Sequence, residues 1–302
     1  MTISFANTDE DLSMFSGVSF SSAALASFSF TVKTDNTGTS NNDQFTIPLY
    51  SGETYDFTVT YDGQTTTHNT DVDLTLTFPS GAGTYPVQIT GTFAGIYFNN
   101  SGDKFKITEE VSSFGDLGWC RLDSAFFGCG NITNFLGTIP YNAGITSLAS
   151  AWFNCSKALS FPNVSLLTNI ISLSNTWNGN TLALSFPNIN TLTSVTGMDS
   201  AWGNAKVCEV FPSVSNLINS ATIRNAWYGC DAMTTVPELM TASTALTNCS
   251  GSFTNVGSGM GGTIEELWNA GNFPNVSLFA GFATGATGLT NYADIPDAWK
   301  GL

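Results

Sequence analysis

Basic side chains are scarce. Lys and Arg number 8 among 302 residues, against 23 Asp and Glu, and the formal net charge is −15. Phosphate backbones are held by clustered Lys and Arg, so nucleic acid is not an expected partner. The same balance argues against attraction to an anionic membrane surface, and no apolar run is long enough to cross a bilayer. Histidine occurs once, at His68, in a polar run that reads as a hairpin loop. Every Ser-His-Asp or Cys-His arrangement would have to pass through it. The acids Asp199, Glu209, Asp231, Glu238, Glu265 and Glu266 are scattered, and no two fall across a cleft as glycoside cleavage requires. The glycine-rich loop Gly257 to Gly262 lacks the Lys-Ser or Lys-Thr of a phosphate cradle. An enzyme is not expected, and neither is a cofactor. Long helices are excluded as well, because Gly, Asn, Ser and Thr interrupt every candidate.

What the chain has in abundance is a period. Trp152, Trp177, Trp202 and Trp227 stand 25 residues apart, with Phe161-Pro162, Phe186-Pro187 and Phe211-Pro212 on the same step. Phe126, Phe253 and Phe282 extend the aromatic column with looser spacing. Aliphatic columns run beside it: Val164, Ile189, Val214, Leu239; Leu167, Leu192, Leu217; Leu148, Leu173, Met198, Ile223. Phe273 to Leu278 repeats Phe161 to Leu166 without a change, so the period survives the glycine-rich insertion. A fixed step of this size marks a stack in which each repeat completes the core of its neighbour. The expectation is short strands and tight corners, with one helical turn per layer near Asp199 to Trp202 and a short helix at Ile264 to Trp268. Strands about 4.8 Å apart give a rod of six or seven layers. The aromatic column reads as core packing; the competing reading is an exposed stripe that stacks on sugar rings.

Six cysteines match no zinc spacing. Cys129, Cys155 and Cys230 share one phase, three residues after the column aromatic. A small buried side chain is one reading of that phase. A disulfide between Cys129 and Cys155, on adjacent layers, is the other. Among acids, Asp71 and Asp73, or Asp35 with Asp43, are the candidates for a calcium loop, though no complete motif surrounds them.

Ahead of the repeats the period is two. Phe28, Phe30 and Val32; Phe45, Ile47 and Leu49; Tyr55, Phe57, Val59 and Tyr61; and Val72 to Phe78 alternate with polar residues, and Asp62-Gly63 is a hairpin signal. Residues 28–108 are therefore expected to form a small β-sandwich. They follow a leader or docking arm at 1–27 and precede a connector or cap at 109–121. The repeats take 122–290 and a terminal cap 291–302.

The repeats resemble the BspA-like leucine-rich-repeat surface proteins. The pieces that carry the likeness are Asp123 to Cys129, Leu148 to Cys155 and Ile223 to Cys230. The alternating part resembles the PKD-like sandwich, through Phe57 to Gly63 and Gly83 to Gly91, with Tyr61-Asp62-Gly63 in place of that family's fuller turn. The implied fold is a PKD/Ig-like sandwich followed by a leucine-rich-repeat-like solenoid. Such modules stand on bacterial surface adhesins and on bacteriophage structural proteins. No signal peptide or anchor is visible, which favours the phage setting. The expected role is a virion surface protein, on a tail fibre or decorating the capsid, with homo-oligomeric or other virion partners and a host protein or glycan as target. The alternative is a bacterial cell-surface adhesin fragment, located outside the cell.

Overall fold

The structure, a computed structural model, describes residues 26–302. The leader expected over 1–27 lies outside them except for its last two residues. Alternation of apolar and polar side chains builds strands β1 (Phe28–Lys33), β2 (Gln44–Ile47), β3 (Tyr55–Tyr61), β4 (Gln64–His68), β5 (Leu74–Thr77), β6 (Thr84–Phe93), β7 (Ile107–Phe114) and β8 (Ile132–Phe135). In β1 the residues Phe28, Phe30 and Val32 are buried and the intervening ones are not, as a sheet covered on one face requires. Asp62 and Gly63, both at positive φ, close the β3–β4 hairpin, in which Tyr61 pairs with Gln64.

The expected fold requires correction. The molecule is mostly β with two sheets, and neither curls. One holds six strands in the order β4-β3-β6-β1-β7-β8, and the other pairs β2 with β5. That order is not sequential and departs from both a PKD/Ig-like sandwich and a leucine-rich-repeat solenoid. β1 sits between β6 and β7, antiparallel to both. β7 spans the boundary expected at residues 108 and 109, so part of the supposed connector is strand. Among the described residues, β8 is the only named strand in the repeats, and beyond it the layers meet through isolated parallel bridges. The helices expected near Asp199 and Ile264 are turns and open chain. At the second place the backbone of Ile264 bonds the Asn291 amide through both its N–H and its carbonyl, at 3.0 Å each.

The physical reason lies in two positions per repeat. Ser124, Ser150, Asn175, Ser200 and Asn225 all have φ between 53° and 57°. Four residues later Gly128, Asn154, Gly179, Asn204 and Gly229 are also left-handed. Gly and Asn tolerate that region readily, and Ser adopts it at three of these positions against its preference. A left-handed residue every few positions forbids an extended strand. The backbone follows a chain of turns instead, and its N–H groups alternate in use. Asn175, Trp177 and Gly179 donate to Asp199, Ala201 and Gly203 of the next layer at 2.8 Å, while Thr176 and Asn178 donate back to Leu173 and Asn175. Each of these five donors is thus satisfied without a strand ladder.

A buried ionic clasp holds the first unit. Asp103 accepts the backbone N–H groups of Thr39 (2.8 Å), Ser40 (3.0 Å) and Thr46 (2.7 Å). Lys106 donates to the carbonyls of Ser40, Asn41 and Gln44 at 2.8 to 3.0 Å. Burial works against the charged form of both. For Asp103 the bonds from Ser40 and Thr46 outweigh it and hold the carboxyl below its ordinary value, whereas for Lys106 burial wins and lowers the ammonium. At the far end a 3-10 turn (Tyr292–Asp294) and a short helix α1 (Asp297–Lys300) fold back, and Trp299 lies flat on Phe279 at 4.6 Å.

Candidate functional site

The aromatic column is interior. Trp152, Trp177, Trp202 and Trp227 are each 0% exposed, and their rings stack at 6.0, 5.7 and 5.3 Å with planes within 11°. Phe253 continues the stack at 4.9 Å, and Phe126 is buried at the near end. Rings buried this way offer no face to a sugar. None of the four indole N–H groups has a hydrogen-bond partner. Phe282 falls out of phase. The Phe253 N–H bonds the Phe282 carbonyl, as the Trp227 N–H bonds that of Ser252, so Phe282 takes the place before the column and Ala283 takes the column itself. Its ring consequently meets Phe253 edge-on, at 87°.

Cys129 and Cys155 are free thiols, and no disulfide joins them. The Cys155 thiol donates to the Phe126 carbonyl at 3.1 Å, and Cys230 does the same to Trp202 at 3.2 Å. Asn180, at the equivalent place, donates its amide to Trp152 at 2.9 Å. At these three layers the shared phase is a donor position that ties one layer to the carbonyl of the layer before. Burial pushes the Cys230 thiol up to about 12 and raises Cys129 and Cys155 as well, so these are poor nucleophiles.

The calcium candidates are already engaged. Asp71 accepts the Gly52 N–H at 2.6 Å, which lowers its pKa, and Asp73 accepts the Leu49 N–H at 2.9 Å. They pin the chain between β2 and β3. Asp35 pairs with Lys33. Among the described residues no three His, Cys, Asp or Glu side chains gather to hold a metal, and no helix is long and apolar enough to cross a membrane. His68 ends β4, with its ring nitrogen 2.8 Å from the Val72 carbonyl and its ring against Phe57.

The sequence reading missed the site with the most convergent chemistry. A cavity of about 740 Å³ opens where the two-sheet unit meets the first repeats. Glu53 enters from the β2–β3 connection, Cys120, Arg121 and Asp123 from the segment after β7, and Thr146, Ser147 and Ser150 from the second layer. Arg121 grips Asp123 with two nitrogens, at 3.1 and 2.8 Å, and reaches Glu53 at 3.8 Å. Its guanidinium lies 4.5 Å over the Tyr50 ring, and the Tyr50 hydroxyl donates to the Asp123 carbonyl at 2.8 Å. The bond to Asp123 raises the Arg121 pKa further, so its charge is permanent. Burial, then the Glu53 carboxylate to which it donates at 3.4 Å, pushes the Cys120 thiol up to about 11. One signal could have revealed part of this. Arg121 and Asp123 stand five and three residues before Phe126, in phase with Ser147 and Ala149 before Trp152.

Comparison with known proteins adds no relative: no family model matches this chain, and neither a curated protein nor a solved structure does.

Proposed function

We propose that this chain is a non-enzymatic display protein of a virion surface, on a tail fibre or as a capsid decoration, whose repeats face the host. The observation that supports this reading is the unbroken hydrogen-bonded stack. β7 pairs in parallel with β8. Bridges then continue from Asn134 to Ser160 and along Ser147, Ser172, Gly197, Thr222, Asn248 and Leu278. A body tied layer to layer in this way suits holding a surface at a fixed distance and orientation better than it suits opening and closing around a reaction. Leu182, Leu184 and Val210 are 45, 63 and 62% exposed on neighbouring layers. They offer an apolar contact for another copy or another structural chain. Gradient-purified virions, labelled with antibody against the repeats and viewed by electron microscopy, test the proposal. A regular projection or shell of label supports it. Label confined to cell envelopes replaces it with a bacterial adhesin.

A further inference from the structure

We propose that the junction cavity is a binding site for a neutral saccharide unit. This deepens the display reading, since it names the chemistry by which the surface would recognise a host, and it rests on that reading only for its biological setting.

The argument begins with volume. A cavity of about 740 Å³ lies within the range in which proteins hold small ligands, about 300–1,000 Å³. Its lining then narrows the ligand. Ser124, Thr146, Ser147 and Ser150 line it alongside the Glu53, Arg121 and Asp123 group. An apolar ligand would strand these polar groups, and each would lose its hydrogen bonds to water without replacement. Anions are disfavoured. Two carboxylates stand against one guanidinium, the guanidinium is already held bidentate by Asp123, and the whole chain carries −15. What remains is a ligand that is uncharged and both donates and accepts. Carboxylate oxygens beside a guanidinium supply an acceptor and a donor side by side, which matches neighbouring hydroxyls on a sugar ring. Packing of Arg121 over Tyr50 fixes the pair before any ligand arrives, and a pre-fixed site loses less on binding. The Cys120 thiol, protonated at neutral pH, donates to Glu53 and helps hold that carboxylate in place rather than acting as a nucleophile.

The test uses the full chain. Glucose, galactose, mannose, N-acetylglucosamine and their β-linked disaccharides are titrated by saturation-transfer NMR and calorimetry. At least one should bind saturably. Glu53→Gln should weaken that binding about tenfold, the loss of one charge-assisted hydrogen bond. Ala149→Phe should abolish it by filling the cavity. That phase carries Asp199 and Arg224 in later layers, so a large side chain is compatible with the fold, and an unchanged melting curve checks this. Arg224→Ala, three layers beyond the nearest lining residues, should leave binding unchanged. The proposal is overturned if no sugar of the panel binds, if binding survives both Glu53→Gln and Ala149→Phe, or if calcium chloride or inorganic phosphate binds there instead. The virion experiment is independent. Binding without virion location sinks only the setting, and virion location without binding sinks only the saccharide site.

Discussion

The two-sheet unit and the repeats solve the same problem with opposite contacts. Both bury a column of aromatic rings. In the first unit the partners come from far apart in the chain: Phe28 meets Phe93 at 5.8 Å and Trp119 at 4.9 Å. β1 finds its neighbours in β6 and β7, more than 50 residues on. In the repeats the rings around Trp177 come from its own layer and the two beside it: Trp152 and Phe161 before, Phe186 within, Trp202 after. The first unit therefore closes all at once, and its loss should be cooperative. The repeats add stability layer by layer, and a defect should stay near where it is made.

Substitutions at four positions sharpen or break that contrast. The largest effect is expected from Trp177→Ala, which removes a fully buried indole from the middle of the stack and should cost about 3–5 kcal/mol. Hydrogen exchange should then show lost protection in the layers around Trp152 and Trp202 while β1 and β6 stay protected; uniform loss along the chain would break the contrast. Asp103→Ala comes next, at about 2–3 kcal/mol, since three backbone N–H groups lose a charged acceptor. Asp103 also sets the acid response. Its folded pKa lies below the ordinary 3.8, so its contribution is complete above the unfolded value and disappears as pH falls through the folded one. Acid titration followed by fluorescence should unfold the wild-type two-sheet unit first, and Asp103→Ala should flatten its response as pH falls below the ordinary carboxyl value of 3.8. Cys155→Ala should cost about 1 kcal/mol, the net value of one hydrogen bond to Phe126, and Cys155→Asn should recover part of it if Asn180 is the right model; denaturant midpoints compare the two. The smallest change is expected from Arg224→Ala. Its exposed pair with Asp199, at 3.7 Å, should contribute less than about 1 kcal/mol to the melting free energy.

The difference between the regions also decides what could be read from the sequence. Repetition exposes local design, so the column from Phe126 to Phe253 and the aliphatic columns beside it were legible from spacing alone. The Asp62-Gly63 hairpin was legible for a similar reason, because two adjacent residues determine it. Phe282 is the aromatic nearest the expected place, but the longer final repeat moves the column to Ala283. The left-handed Ser, Asn and Gly positions are visible as polar punctuation, but spacing alone does not mark which of them take positive φ and so exclude strands. Strand order was hidden, since alternating strands of like composition pair equally well on paper. The junction cavity was hidden more deeply: Glu53, Arg121 and Ser147 come from separate parts of the chain, and only the seam between two folding modes brings them together.

Four parallel indoles at 5.3 to 6.0 Å, shielded from water and with unbonded N–H groups, are also an optical device. Their planes lie close and nearly parallel, so their excitations should mix and shift the near-ultraviolet bands, with blue-shifted emission. Trp119, Trp268 and Trp299 stand outside that row and contribute separate bands. The protein thus carries its own gauge of layer stacking, readable without a label.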